Sequence, residues 1–226
     1  MHDKLAAWFP NVMERLPEFY KAIRETLTMF AISGIFVLVL GLFFGVLLVT
    51  TRKGGILENA VIYQILDKTI NVFRSIPFII LLTLLLPLTR LIVGTAIGVR
   101  GAIVPLVIGT TPFFSRQVEA ALSEISPGVI EAAESIGMSP VGIIFRVYLR
   151  EGIPMLARAA TITAISLIGA TAMAGAVGAG GLGDFAIRYG HNRFMTDITW
   201  VTCAALVLLV CAVQIIGNLI TKLTTH

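Results

Sequence analysis

Charge is what this 226-residue sequence has least of. Only 13% of its residues are Asp, Glu, Lys or Arg, against roughly 25% in ordinary soluble domains. Hydrophobic residues make up 57%, and the mean hydropathy is +0.92. A soluble fold of this length could not hide so much apolar surface. The excess faces lipid, and a soluble enzyme is excluded. Cysteine is also scarce. Cys203 and Cys211 both fall in one apolar segment, where they read as small buried hydrophobes, and a disulfide-stapled secreted domain is excluded. Clustered basic charge is missing too. The net charge is +4, yet the basic residues are scattered singly from Lys4 to Lys222. No strip suited to a phosphate backbone exists, so nucleic acid is not expected as a partner.

Catalytic patterns are absent as well. The three histidines, His2, His191 and His226, stand apart from any HExxH spacing, and no nucleophile–base arrangement is visible. The sequence is read as a non-enzyme without a metal site. It has no G-x-x-x-x-G-K-[ST] pattern, so no cofactor is expected in this chain, and any ATP hydrolysis belongs to a separate subunit. Residues 1–25 carry four basic and four acidic side chains, too many for the uninterrupted apolar core of a cleavable leader.

What is present is long uncharged stretches. Residues 1–25 place Leu5, Trp8, Phe9, Val12, Met13, Leu16, Tyr20 and Ile23 at helical spacing. They predict an amphipathic helix, bent near Pro10 and Pro17, that lies at the membrane interface or leads into the first span. Residues 26–51, 159–183 and 198–221 are uncharged and long enough to cross a bilayer of ~30 Å. Residues 75–89 and 101–115 are shorter, and become spans if their helices begin near Asn59 and run on toward Ile125. The expectation is an all-α membrane protein of five transmembrane helices, divided into an N-terminal segment, 1–25, and a transmembrane domain, 26–226. Basic residues are nearly balanced between the two sides, so the positive-inside rule leaves the orientation open. Span interiors without acids argue against an ion-coupled secondary transporter, which is the reading from another class.

Residues 126–154 form a polar loop between the third and fourth spans. Ser126-Pro127 and Ser139-Pro140 each read as an N-cap followed by a proline preset for the first helical turn. Gly137 falls where the first short helix must stop. The loop therefore spells helix, glycine turn, helix. Within it, Glu131-Ala132-Ala133, three further residues and then Gly137 resemble the EAA loop of ABC-importer permeases. In that pattern I-x-L-P follows after nine residues. Here the gap ends at Val147-Tyr148-Leu149, Arg150 stands where proline is expected, and Pro154 comes four residues later. The runs NVFRSIPF at residues 71–78, IVGT at 92–95 and AMAGAVGAGGLG at 172–183 are similar to the methionine-type subfamily.

The resemblance implies the type I ABC-importer permease fold and a mechanical role. Glu131, Ala132, Ala133 and Gly137 would form the helix that couples to a cytoplasmic ABC ATPase, of which two copies serve a permease homodimer. An extracytoplasmic substrate-binding protein would deliver methionine, with another small amino acid as the alternative cargo. The coupling loop would then be cytoplasmic, leaving the N-terminus outside and the C-terminus inside a multi-pass inner-membrane protein. Met173 matches a position that resembles a gate at the central constriction, its alternative being a methionine that packs between helices. The nearby Gly178, Gly180 and Gly183 literally satisfy G-x-G-x-x-G, but an apolar helix rather than a strand precedes them. They read as a tight turn with close backbone approach. Gly34, Gly41 and Gly45 share one face of the first span and read as helix-packing positions, and Arg116 and Glu119 as an intrahelical pair.

Overall fold

The computed structural model describes residues 8–224. Leu5, Asp3, Lys4, His2 and His226 lie outside the described residues, as do the expectations attached to them. Every element among the described residues is helical. The chain opens with α1 (Pro10–Glu14) and α2 (Leu16–Thr51). Pro10 and Pro17 take the first and second positions of these helices, where an N–H would lack a helical partner anyway. α2 runs unbroken across residues 25 and 26, so the amphipathic segment and the first span share one helix. The early apolar side of α1 and α2 is spent on protein. Val12 and Ala22 are buried with Leu182, Phe185 and Ile198.

Three short helices follow: α3 (Ala60–Ser75), α4 (Phe78–Leu84) and α5 (Leu86–Val93). Asn59 caps α3, its Oδ1 accepting from the Val61 and Ile62 amides at 3.1 Å. Pro77 forces Ile76 out of the helical region, to ψ 123°, and α3 ends there. The stretch expected as the second span is therefore segmented, and none of its parts matches the long helices in length. Beyond it come α6 (Gly98–Ser123), α7 (Pro127–Ser135) and α8 (Pro140–Ile143). A wide π-type turn (Ile144–Tyr148) leads to α9 (Leu149–Glu151) and α10 (Ile153–Ala174). A second wide turn (Gly175–Ala179) precedes α11 (Gly181–Phe185), and α12 (Thr196–Thr224) completes the described chain. Among the described residues, four helical stretches are long and apolar enough to cross a membrane: α2, α6, α10 with its following turn, and α12.

The chain folds as two compact units, each assembled from three separated stretches. The first takes residues 1–35, 77–108 and 164–213. Its core gathers Met29, Leu82, Leu106, Leu167 and Ala174. A clasp ties its N-terminal part to α12: the Asn11 backbone and side-chain amides donate to the two Asp197 carboxylate oxygens, both at 2.9 Å.

The second unit takes residues 36–76, 109–163 and 214–226. Its core joins Val37, Val49, Phe114, Val118, Leu122 and Tyr148. A methyl at Gly41 would meet Phe114, and one at Gly45 would meet Val118, so these glycines let α2 and α6 touch as small residues do in lipid. Arg116 pairs with Glu119 at 2.6 Å, with Asp67 of α3, and with the Asn71 carbonyl at 3.1 Å. The expected pair is thus part of a larger network. The cysteine expectation needs correction. Cys203 and Cys211 are free and exposed on α12, of whose most apolar window only 6% is buried. A helix apolar all round gives no sequence signal of which face turns to lipid.

Candidate functional site

The loop singled out in the sequence is built as a rigid bracket. α7 ends in a glycine-terminated cap: Gly137, at φ +77°, donates from its N–H to the Glu134 carbonyl at 2.9 Å. Met138 N–H reaches back to the Ala133 carbonyl at 3.1 Å, completing the Schellman pattern. Ser139 then caps α8, its Oγ accepting from Gly142 N–H at 3.2 Å. Ser126 makes no such bond. The Val129 amide it would have served goes instead to the Ser126 backbone carbonyl, at 3.1 Å.

The four residues of the loop motif divide by burial. Ala133 is buried against the second unit's core, beside the partly buried Ile130 and Met138. Glu131, Ala132 and Gly137 are exposed. Around them lies apolar surface that no polar face of a soluble helix would carry: Ile136 is 77% exposed, Phe145 65% and Val141 62%. Exposed apolar patches of this kind mark protein or membrane interaction surfaces. Arg150 is exposed in α9, and Pro154 falls at the second position of α10, where a proline is tolerated. The displaced proline thus leaves the entry into α10 helical. Tyr148 is almost wholly buried at the same junction, and burial pushes its phenol above the ordinary value.

Met173 belongs to the first unit, in the last turn of α10, with 45% of its surface exposed. Just beyond it the helix breaks. Gly178, Gly180 and Gly181 adopt φ of +95°, +82° and +78°, a region open to glycine at little cost. A methyl at Gly183 would strike the Ala172 backbone, and one at Gly175 would meet Asp184 and Gly180. The two arms of the turn therefore lie backbone to backbone.

Two residues that sequence reading passed over hold this turn. Glu25 Oε2 accepts from Gly181 N–H and Thr26 Oγ1 from Leu182 N–H, both at 2.8 Å. Together they satisfy the first orphan amides of α11, an acid serving the positive end of the helix. Glu25 also lines a polar recess of about 420 Å³ with Glu18, Lys21, Asp184 and Arg188. Its charges are largely paired internally, Lys21 with Glu25 at 3.8 Å and Arg188 with Asp184. The hydrogen bond to Asp184 holds the Arg188 guanidinium above its ordinary value. Among the described residues no three His, Cys, Asp or Glu side chains converge as metal ligands would.

A capped helical loop and a glycine turn thus interrupt the long apolar helices. Over residues 38–224 the sequence matches the family of binding-protein-dependent transport system inner membrane components. The chain belongs to that family. It is a multi-pass inner-membrane component of a transport system. It is 44% identical over 224 residues to the "Probable D-methionine transport system permease protein MetI" of Vibrio cholerae, covering 99% of this chain and 98% of that protein. It is 45% identical over 216 residues to the "Methionine import system permease protein MetP" of Bacillus subtilis, covering 96% of each. Among solved structures, a chain of the MetNI methionine ABC transporter in inward-facing conformations superposes with a TM-score of 0.92. That match is 46% identical and covers 94% of this chain and 99% of the other.

Proposed function

We propose that this membrane component is the permease of an ATP-driven methionine importer, working as a homodimer by alternating access. The observation that carries the reading is the capped α7 bracket, with Glu131 and Ala132 exposed and Ala133 anchored in the core, in a chain whose full-length relatives are named for methionine transport. Each copy docks one ABC ATPase subunit on the α7–α8 face, and ATP is hydrolysed there, not in this chain. Glu131 meets donors of the ATPase at the rim, where desolvation is cheap. Gly137 fixes the angle between α7 and α8, so a push on α7 moves the unit that Ala133 anchors. Coupling of this kind makes the α7–α8 loop, residues 126–154, cytoplasmic, with the N-terminus outside and the C-terminus inside. An extracytoplasmic binding protein hands over the substrate. Met173, exposed just before the glycine turn, closes the path between cycles. Residues 1–25 serve as the N-terminal amphipathic segment that leads into the first span, and 26–226 as the transport domain.

The test is reconstitution of the permease with its ABC ATPase and binding protein in liposomes. The double variant Glu131→Arg/Gly137→Pro is expected to insert normally but to lose co-purification with the ATPase. Unchanged co-purification would overturn the coupling assignment. Uptake of radiolabelled methionine should vanish without ATP and survive a protonophore while ATP is held, and the reverse would favour an ion-coupled carrier. Excess of another small amino acid that competes better than methionine would reassign the cargo. In the same liposomes Met173→Ala should raise substrate leak without ATP, and wild-type leak would remove it as a gate.

A further inference from the structure

Within the second unit, α10 and α12 meet at Gly217, where an added methyl would overlap the Thr161 side chain. Beside this contact opens a cavity of about 270 Å³ whose lining is out of keeping with the helices that make it. α12 is apolar for most of its length, yet it turns Gln214, Asn218 and Lys222 into the cavity at successive helical turns. α10 contributes Arg158. Among the described residues neither Arg158 nor Lys222 has a carboxylate partner. Gln214 Nε2 donates to Asn218 Oδ1 at 2.8 Å, which orients the Asn218 amide and leaves its N–H groups for another acceptor. Polar and cationic groups on spanning helices are expensive unless something pairs with them.

Both cations sit near helix ends. Arg158 lies one turn inside the start of α10, and Lys222 lies in the last turn of α12. Two cations at the rim of the apolar layer, over a floor of amide donors, complement a phosphodiester anion at headgroup depth. Ile162, 44% exposed, lines the apolar side of the cavity, where an acyl chain would leave the headgroup. We propose that this cavity binds the headgroup of an anionic glycerophospholipid, one per chain. The phosphate lies between Arg158 and Lys222, and the headgroup polar atoms meet Gln214 and Asn218.

The experiment is native mass spectrometry of the purified full chain from bilayers of equal phosphatidylglycerol and phosphatidylcholine. The wild type is expected to retain one phosphatidylglycerol per chain in preference to phosphatidylcholine. Each cation near an anionic surface contributes about fivefold in affinity, so Arg158→Gln should lower retention about fivefold and R158Q/K222Q about thirtyfold. Arg158→Lys should keep most of it, and the control pair K53Q/R90Q, which removes equal charge elsewhere, all of it. Ile162→Trp, which fills the cavity and keeps both charges, should also abolish retention, so the proposal stands on a second variant should R158Q/K222Q not fold. Equal retention of the two lipids, or wild-type retention in Ile162→Trp, would overturn it. Inorganic phosphate is titrated as a separate arm. Phosphate that binds where phosphatidylglycerol does not would assign the cavity to a free anion and overturn the lipid reading.

Discussion

Glu25 and Thr26 show how much can rest on two side chains that sequence patterns treat as a boundary. In the sequence Glu25 is merely the last charge before the first uncharged stretch. In the fold its carboxylate and the Thr26 hydroxyl cap α11, 156 residues away. Loss of a helix cap costs about 1 kcal/mol, and a buried amide left without a partner about 1–3 kcal/mol. Glu25→Ala is therefore expected to destabilise by about 1 kcal/mol and Thr26→Val by more, since the Leu182 N–H it abandons is buried. Glu25→Gln should fall between Ala and wild type, because a neutral acceptor is about half as strong as a charged one. Thermal unfolding of the purified variants checks the order, and unchanged midpoints would show that α11 needs no clamp. Helical periodicity reports only which faces are apolar, so a cap supplied from so distant a residue leaves no trace in it. The cysteines were misread for a related reason. On α12 a thiol against lipid and a thiol against protein sit in the same apolar company.

At the scale of elements, the α7–α8 bracket was readable because its signals are local. A serine–proline start and a glycine stop act within a few residues, and Gly137 adopts the left-handed conformation such a stop requires. Ser126 departed from expectation because a competing backbone bond took its amide. The segmentation of α3, α4 and α5 was less legible. Hydropathy averages across Pro77, whereas the backbone cannot, since Ile76 must leave the helix there. Nothing lies within 4 Å of a methyl placed at Gly137, so its substitution tests conformation alone. Gly137→Ala is expected to cost roughly 1–2 kcal/mol of bracket stability and Gly137→Asn clearly less. Transport per ATP hydrolysed should fall in that order. Equal coupling in both variants would separate the bracket's geometry from its function.

For the whole molecule, composition announced a lipid-embedded helical protein, and the four long helices follow from hydropathy directly. Its division into units was not visible. Composition suggests a cut after residue 25, but contacts gather three distant stretches into each unit, and no local property of a sequence encodes that. The interleaving bears on assembly. The clasp of Asn11 with Asp197 joins residues 186 apart, so the earliest part of the chain waits for nearly the last. Truncated nascent chains ending before α12 should leave the segment around Asn11 open to protease, and full-length Asp197→Ala should behave the same way. Protection in chains stopped at residue 170 would refute this dependence.

The Glu25 clamp carries the same logic into time. Synthesis runs at about 5–20 residues per second, so the 156 residues separating Glu25 from Gly181 take roughly 8–30 s to appear. Throughout that interval the Glu25 carboxylate has Lys21, one turn back on α2 at 3.8 Å, and none of its α11 amides. An acid and a hydroxyl at the edge of the first apolar stretch thus stay within reach of a turn made 156 residues later, and the first unit closes only once that turn exists.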